Sequence, residues 1–248
     1  MHGCNGKMGK MISELAAKDE KVEIVAGVDQ FNKQFFNYPV FSSIKDCKVE
    51  ADVIIDFSTA NAVEGLLAYS MENKVPVVLC TTGLAEALQE KVEEYSKTVA
   101  MLQSANMSLG INLLMKVLKD ASKVLVDAGF DIEIIEKHHN QKLDAPSGTA
   151  LALADSINEE FNSEFDYIYD RSTKREKRGQ KELGISAVRG GSIVGEHDVL
   201  FAGSDEVITF SHTAYSRAVF AKGAIQAAKF LATKENGMYN MNDVINNN

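Results

Sequence analysis

The sequence predicts an α/β fold. A Rossmann-like doubly wound parallel sheet comes first, and an α+β domain with an open mixed sheet follows. Three observations carry this. Apolar, β-branched runs at Val22–Val28 (VEIVAGV), Asp52–Phe57 (DVIIDF) and Val75–Cys80 (VPVVLC) alternate with helical patterns. Strands apolar on both faces belong to a parallel sheet covered on both sides. A glycine-rich loop, Gly3-Cys4-Asn5-Gly6-Lys7-Met8-Gly9, runs directly into a helix. After Asn106 the texture changes to a long helix and then short strands broken by glycine turns, an α+β layout with hairpins.

In order, a helix is expected over Met8–Lys18, followed by the Val22–Val28 strand, which ends at Asp29. The Asp52–Phe57 strand leads to a helix over Asn61–Asn73. The Val75–Cys80 strand ends in the turn Thr81-Thr82-Gly83, then a helix over Leu84–Ser96 and a strand over Val99–Gln103. In the second part, Ile111–Val126 reads as one long helix and Asp131–Lys137 as a half-buried strand. Pro146 and Ser147 open a helix running to Phe161. Residues 162–183 read as a charged loop. Short strands are expected at Ile185–Val188, Ser192–Val194, Asp198–Ala202 and Glu206–Ala214, and Ser216–Ala232 closes as a helix. A lone amphipathic helix after such a domain returns to the first one. The expected division is therefore 1–105 with 216–248, and 106–215.

The bulk numbers narrow the function. The chain has 248 residues, 45% hydrophobic and 25% charged, with a formal net charge of −9. That length suits two domains, and the acidic balance argues against nucleic acid as a partner. Cys4, Cys47 and Cys80 are an odd set with no C-x-x-C spacing, so a reducing cytoplasm is expected rather than a disulfide framework. The apolar runs are too short to span a bilayer, and no leader pattern opens the chain.

The glycine loop suits a pyrophosphate. Glycine lets backbone amides approach it closely, and a helix N-terminus favours its charge. Gly6 would allow the approach and Gly9 the packing of helix on sheet. Asp29, about twenty residues on, stands where a carboxylate accepts the ribose hydroxyls of an adenosine. Gln30 follows it, and the nearest cation in sequence is Lys33. A carboxylate repels a 2′-phosphate, so NADH is expected to bind at least as well as NADPH. The fold wants a strand before Gly3, yet only Met1 and His2 stand there; the expectation is a natural start further upstream.

The stretch HHNQKLDAPSGTA, His138–Ala150, gathers scarce cations. Two of the five histidines are adjacent here, with Lys142 close behind. Ser147 caps the next helix, and the amides of Gly148 and Thr149 would then point outward as an anion site. With His138, His139 and Lys142 beside it, the helix start would hold a dianion, one carboxylate on the amides and one near the histidines. Histidine and a tuned lysine also suit proton delivery. A His-His pair can mark a metal site, but no third ligand has metal spacing, so no metal is expected. Asp144 reads as a brace for the loop. A dinucleotide loop plus such a clamp make a coherent reductase, provided the cluster faces the nicotinamide across a cleft.

The segment Glu136–Ala150, E-x-H-H-x-x-K-x-D-A-P-S-G-T-A, resembles the signature of bacterial dihydrodipicolinate reductases, also called 4-hydroxy-tetrahydrodipicolinate reductases. The likeness extends to the Gly3–Gly9 loop, Asp56-Phe57-Ser58, Thr81-Thr82-Gly83, Ser104–Ser108, Gly195-Glu196-His197 and Ser216-Arg217. The resemblance implies NAD(P)H-dependent reduction of 4-hydroxy-tetrahydrodipicolinate, a cyclic dicarboxylate, to tetrahydrodipicolinate in lysine and diaminopimelate biosynthesis. It implies His138 as acid/base and Lys142 as proton donor. His139, Ser147, Gly148 and Thr149 would take the substrate. Gly3, Cys4, Asn5, Gly6, Lys7, Met8, Asp29, Phe57, Cys80, Thr81, Thr82, Ser104, Ala105, Asn106, Met107 and Arg217 would line the nucleotide. It further implies a homotetramer joined through the sheet of the second, substrate-binding domain. One departure is Cys80, where the family commonly has glycine.

Two rival readings remain. Sugar- or inositol-type dehydrogenases pair similar domains but use a Glu-Lys-Pro lysine; here His138 follows Glu136-Lys137. A non-enzymatic nucleotide sensor would keep the glycine loop without needing His138, Lys142 and the helix start together. His197 and His212 read as structural, Met101, Met107 and Met115 as core filling, and Arg171–Lys181 as a solvated charged run or, alternatively, a segment that folds over the substrate.

Overall fold

A computed structural model describes residues 1–31, 33–104 and 106–247. The chain divides into two compact units, Met1–Leu109 with Ala218–Asn248, and Gly110–Arg217.

In the first unit, β3 (Ile54–Asp56), β4 (Val77–Leu79), β5 (Ala100–Gln103) and β11 (Gly237–Tyr239) form a sheet in the order β11-β5-β4-β3, parallel throughout. Beside it, β1 (Gly27–Val28) pairs in parallel with β2 (Val40–Phe41). His2 bridges the two sets, pairing in parallel with both Val28 and Asp56. Main-chain bonds from His2 N to Ile55 O (2.9 Å) and from Val28 N to Met1 O (2.9 Å) hold it there. Successive strand residues face opposite ways, and each face is apolar. Ile55, Val78 and Leu102 enter a core with α1 (Lys7–Ala16), α6 (Ala218–Leu231) and α7 (Met241–Asn246). Ile54, Val77 and Met101 enter another with α2 (Ala60–Asn73) and α3 (Glu86–Ser96).

In the second unit the sheet order is β10-β9-β6-β8-β7, made of β6 (Asp131–His138), β7 (Asp166–Ile168), β8 (Glu182–Arg189), β9 (Gly195–Ala202) and β10 (Val207–Ala214). It is mixed: β6 runs parallel to β8 and antiparallel to β9. Burial along β6 alternates strictly. Its inward residues Ile132 and Ile134 join Leu183, Ile185, Val199 and Phe201 beneath α4 (Leu109–Asp127) and α5 (Gly148–Asn158). The opposite face is only partly buried and carries ion pairs such as Lys137 with Glu196 (3.1 Å) and Asp198 (3.3 Å).

Several elements differ from expectation. The Val22–Val28 run is ladder-paired only at Gly27–Val28, against the two-residue β2. Ser192–Val194 forms no strand; it is the turn into β9. The 162–183 stretch holds the short strand β7 and the start of β8. Its charges are partly engaged: Arg178 reaches Asp131 (2.9 Å), Glu133 (3.1 Å) and the Ile132 carbonyl (2.8 Å). β11 and α7, at the carboxyl end, had no clear sequence signal; an Asn240–Asp243 capping box opens α7. Among the described residues, no helix is long and apolar enough to cross a membrane.

Helix α6 approaches the chain at Met107 so closely that a Cβ on Gly223 would sit 1.6 Å from the Met107 carbonyl oxygen. Glycine within a helix ordinarily costs about 1 kcal/mol relative to alanine, so an open site would gain from Gly223→Ala. Here the clash wins, and the substitution should destabilise the chain by about 1–3 kcal/mol, read as a lowered thermal midpoint. A raised midpoint would show that α6 can move away.

Candidate active site

In the first unit the loops after the parallel strands gather around a cavity of about 550 Å³. Gly3, Asn5, Gly6, Asp29 and Phe57 line it, with His2, Gln30, Ser42, Ser43, Lys45 and Ser58. The glycine loop cannot accept side chains. Gly3 has φ +77°, and a Cβ there would lie 2.4 Å from the Phe57 carbonyl oxygen. A Cβ on Gly9 would lie 2.3 Å from the Gly3 carbonyl oxygen; Gly9 therefore seats α1 on the loop itself. The main chain is exposed to a ligand at the start of α1, which is the requirement for holding a pyrophosphate.

The Asp29 carboxylate accepts from the Asn5 amide (3.0 Å) and the Phe31 amide (3.0 Å). It shapes the loop with two of its acceptor positions and retains others. Beneath the loops, Asp56 is fully buried. It meets His2 Nδ1 (2.6 Å), the Thr81 hydroxyl (2.5 Å) and the Ser58 amide (3.2 Å). His2 and Thr81, 54 and 25 positions away, are thereby tied to the carboxylate, which also fixes its own loop through Ser58. Cys80, Thr81, Thr82 and Ser104 line a second cavity of about 480 Å³, together with Gln89 and Gln103.

Other expected nucleotide residues stand differently. The Cys4 and Met107 side chains are buried, so only their main chains are available to a ligand. Lys7 is exposed and Met8 packs against the core. Asn106 is buried, with its side chain accepting from the Ser108 amide (2.8 Å). Burial holds the Cys80 thiol far above its ordinary pKa, so it stays protonated. Arg217 is exposed, precedes α6 and closes the second unit rather than belonging to the returning helix. Ala105 lies outside the described residues.

The second unit builds its site at the end of β6. Glu136 and His138 are two residues apart, so both point to the buried face. Glu136 is 0% exposed and His138 8%. The Glu136 carboxylate accepts from His138 Nδ1 (2.6 Å), the Ser147 amide (3.0 Å) and both terminal nitrogens of Arg189 (2.8 and 2.6 Å). Burial opposes its ionisation, but Arg189, His138 and the Ser147 amide together outweigh that and keep its pKa low. Burial also lowers the His138 pKa, the Glu136 contact works against this, and Lys142 and Arg189 reinforce the lowering.

Ser147 caps α5 as expected, its Oγ accepting from the Ala150 amide (3.1 Å). The same Oγ lies 3.1 Å from His197 Nε2. The His197 ring stands edge-on to His138, 5.2 Å between centroids. Burial, and next the charge of His138, push its pKa down to about 4. Lys142 pairs with Asp144 (2.9 Å), which lowers the Asp144 pKa chiefly through that bond, and the Gly148 amide adds to it. The start of α5 thus already faces one of the chain's own carboxylates, as a helix N-terminus favours. The space beside it is open, since a Cβ on Gly148 would meet nothing within 4 Å. His139 is half-buried in the adjoining turn, and Thr149 follows in the first turn of α5.

Sequence reading missed Arg189 and gave Glu136 no task. The signal for Glu136 was its strand-period spacing from His138. Arg189 offered none, because strand pairing alone sets it beside His138. Among the described residues no three His, Cys, Asp or Glu side chains are grouped to hold a metal ion.

His197 sets a pH dependence. Its pKa near 4 in the folded chain, against 6.5 for a free histidine, means that the unfolded chain binds the extra proton between those values. Stability therefore rises with pH across that window. Denaturant titrations should give about 2 kcal/mol less stability at pH 5 than at pH 7 from this group, and His197→Gln should flatten the difference. An unchanged slope in the variant would remove His197 as its source.

Residues 1–107 match the family described as dihydrodipicolinate reductase, N-terminus, and residues 110–245 its C-terminus. A 4-hydroxy-tetrahydrodipicolinate reductase of Caldanaerobacter subterraneus subsp. tengcongensis is 54% identical over 99% of this chain and 96% of its own. One from Clostridium novyi is 52% identical over the same shares. Among solved structures, a dipicolinate-bound dihydrodipicolinate reductase from Paenisporosarcina sp. TG-14 superposes with a TM-score of 0.78 at 25% identity, covering 96% of this chain and 95% of that one. A probable dehydrogenase from Thermotoga maritima, 12% identical with a TM-score of 0.61, shares the fold over 98% of this chain and 91% of its own. With both halves matched and relatives above 50% identity over nearly the full length, the chain belongs to the dihydrodipicolinate reductase family.

Proposed function

We propose that this chain reduces 4-hydroxy-tetrahydrodipicolinate to tetrahydrodipicolinate and water, with NADH or NADPH as reductant, in lysine and diaminopimelate biosynthesis. The observation that carries the reading is the buried Glu136–His138 pair standing beside Lys142 and the open start of α5, inside a chain of this family. The reductase relative bound to dipicolinate, a planar dicarboxylate, supports a substrate of that class here. The reading extends to a cytoplasmic homotetramer joined through the partly buried sheet face of the second unit.

Bound dinucleotide would supply hydride. The loop Gly3–Gly6 and the start of α1 would hold its pyrophosphate, and Asp29 its adenosine ribose. Net, the reduction takes up one hydride and one proton and releases water. His138, neutral near pH 7 because its pKa is lowered, offers a ring nitrogen to accept or return a proton. Lys142 carries the proton to be delivered. Gly148 and Thr149, with His139, would take the substrate carboxylates, and an arriving carboxylate competes with Asp144 for Lys142.

Lys142→Ala should lower kcat roughly 10²- to 10⁴-fold, the usual worth of a positioned proton donor, while the NADH dissociation constant stays within a few-fold. Steady-state assays on enzymatically generated substrate, with NADH titrated separately, measure both. Turnover equal to the parent's would favour a nucleotide sensor.

Cofactor choice rests on opposing charges. Asp29 disfavours a 2′-phosphate, but Lys45, next to Ser42 and Ser43, lines the same cavity; it is twelve residues beyond Lys33, the cation nearest in sequence. NADH should give a kcat/KM at least equal to that of NADPH. Lys45→Ala should reduce kcat/KM for NADPH by roughly tenfold, the scale of one hydrogen bond to a charged group, and leave that for NADH unchanged. Equal losses with both cofactors would exclude Lys45 as a phosphate partner.

A further inference from the structure

We propose that Glu136, clamped by Arg189, is a positioning residue that fixes His138 in its Nδ1–H tautomer and so presents Nε2 as the working nitrogen. The inference rests on the reading of His138 as the acid/base residue. A carboxylate has about four acceptor positions, and four donors meet this one. Oε1 takes Arg189 Nη2 (2.6 Å) and the Ser147 amide (3.0 Å). Oε2 takes Arg189 Nη1 (2.8 Å) and His138 Nδ1 (2.6 Å). Ionised and paired with a guanidinium, Glu136 can only accept, so Nδ1 must be the nitrogen that carries hydrogen. The lone pair of neutral His138 then sits on Nε2. Gly195 leaves that edge uncovered: a Cβ there would come within 3.0 Å of Nε2.

Arg189 separates orientation from protonation. A bare carboxylate 2.6 Å from an imidazole would favour the imidazolium. Here burial opposes the imidazolium first and the guanidinium adds to that; the charged or titratable groups around the ring are Glu136 on β6, Lys142 with its partner Asp144 in the following loop, Arg189 on β8 and His197 on β9. Lys142 and Arg189 join burial in offsetting the pull of Glu136. His138 can thus be aimed by a carboxylate and remain a neutral base. The Arg189 guanidinium also bonds the Asp144 carbonyl (2.7 Å), so the clamp is continuous with the loop that carries Lys142.

A merely structural role predicts that the isosteric Glu136→Gln is tolerated. Positioning predicts otherwise, because the amide NH₂ can donate to Nδ1 and reverse the tautomer. Imidazole ¹⁵N NMR of the full chain at pH 7.5 should report Nδ1–H for His138 in the parent and Nε2–H in Glu136→Gln. The variant's kcat should fall roughly 10²-fold or more, on the scale seen when a histidine loses its orienting carboxylate, with NADH affinity unchanged. In Arg189→Met, His138 should titrate at higher pH than in the parent, which tests the clamp independently should Glu136→Gln fold poorly. An Nδ1–H tautomer retained in Glu136→Gln, turnover within threefold of the parent, or an unmoved His138 titration in Arg189→Met would each overturn the proposal. The NMR readings need no substrate, so they judge it even if the reductase assay fails.

Discussion

The Glu136 carboxylate has no contact with solvent, and a charge so placed must be met on every side by donors. Meeting that demand draws together the end of β6, the end of β8 and the start of α5. Asp56 imposes the same requirement in the first unit, where His2, Ser58 and Thr81 answer it. Among the described residues, each unit therefore has one buried acid whose bonds fix neighbouring loops. Hydrophobic packing supplies the layers, but it is non-directional. The directional bonds of these two carboxylates decide where each loop stands.

The electrostatics follow from that arrangement. The chain is acidic overall, with a formal charge of −9, yet its second-unit site holds Arg189, Lys142, His138 and His139 close together. Arg189 is consumed by Glu136, and Lys142 by Asp144. Burial keeps His138 and His197 inclined to neutrality. The result is a site with one ammonium free to exchange carboxylate partners at the chain's surface, beside an imidazole whose charge depends on its surroundings. Local focusing of this kind lets an acidic protein attract an anion.

Much of this was legible in the residues because it depends on local pattern. The doubly apolar runs specified parallel strands, and Ile54/Ile55, Val77/Val78 and Met101/Leu102 do face opposite cores. The glycine spacing specified the loop, and Ser147 specified the start of α5. The strand boundaries were less legible, since a strand is as long as its neighbour allows; Val22–Val28 contributes only its last two residues to a ladder. The Ser192–Val194 segment looked β-like by composition but became a turn, because the pairing of β9 with β6 begins beyond it. Cys4, placed by resemblance along a nucleotide, has its side chain in the core, and so does Met107, whose sequence setting also read as core filling.

The sequence by itself determined the kind of fold, the glycine loop, the acidic residue after the first paired strand and the histidine–lysine motif. Each rests on patterns that are local to a short run of residues, where backbone geometry fixes the outcome. Only the tertiary structure decided that Arg189 clamps Glu136, that Asp56 holds His2, that Lys45 shares a cavity with Asp29, and that His197 rather than solvent adjoins Ser147. Those partners lie 53, 54, 16 and 50 positions apart. Chain distance of that order carries no local signal; strand register and the packing of loops on a common sheet bring the groups together.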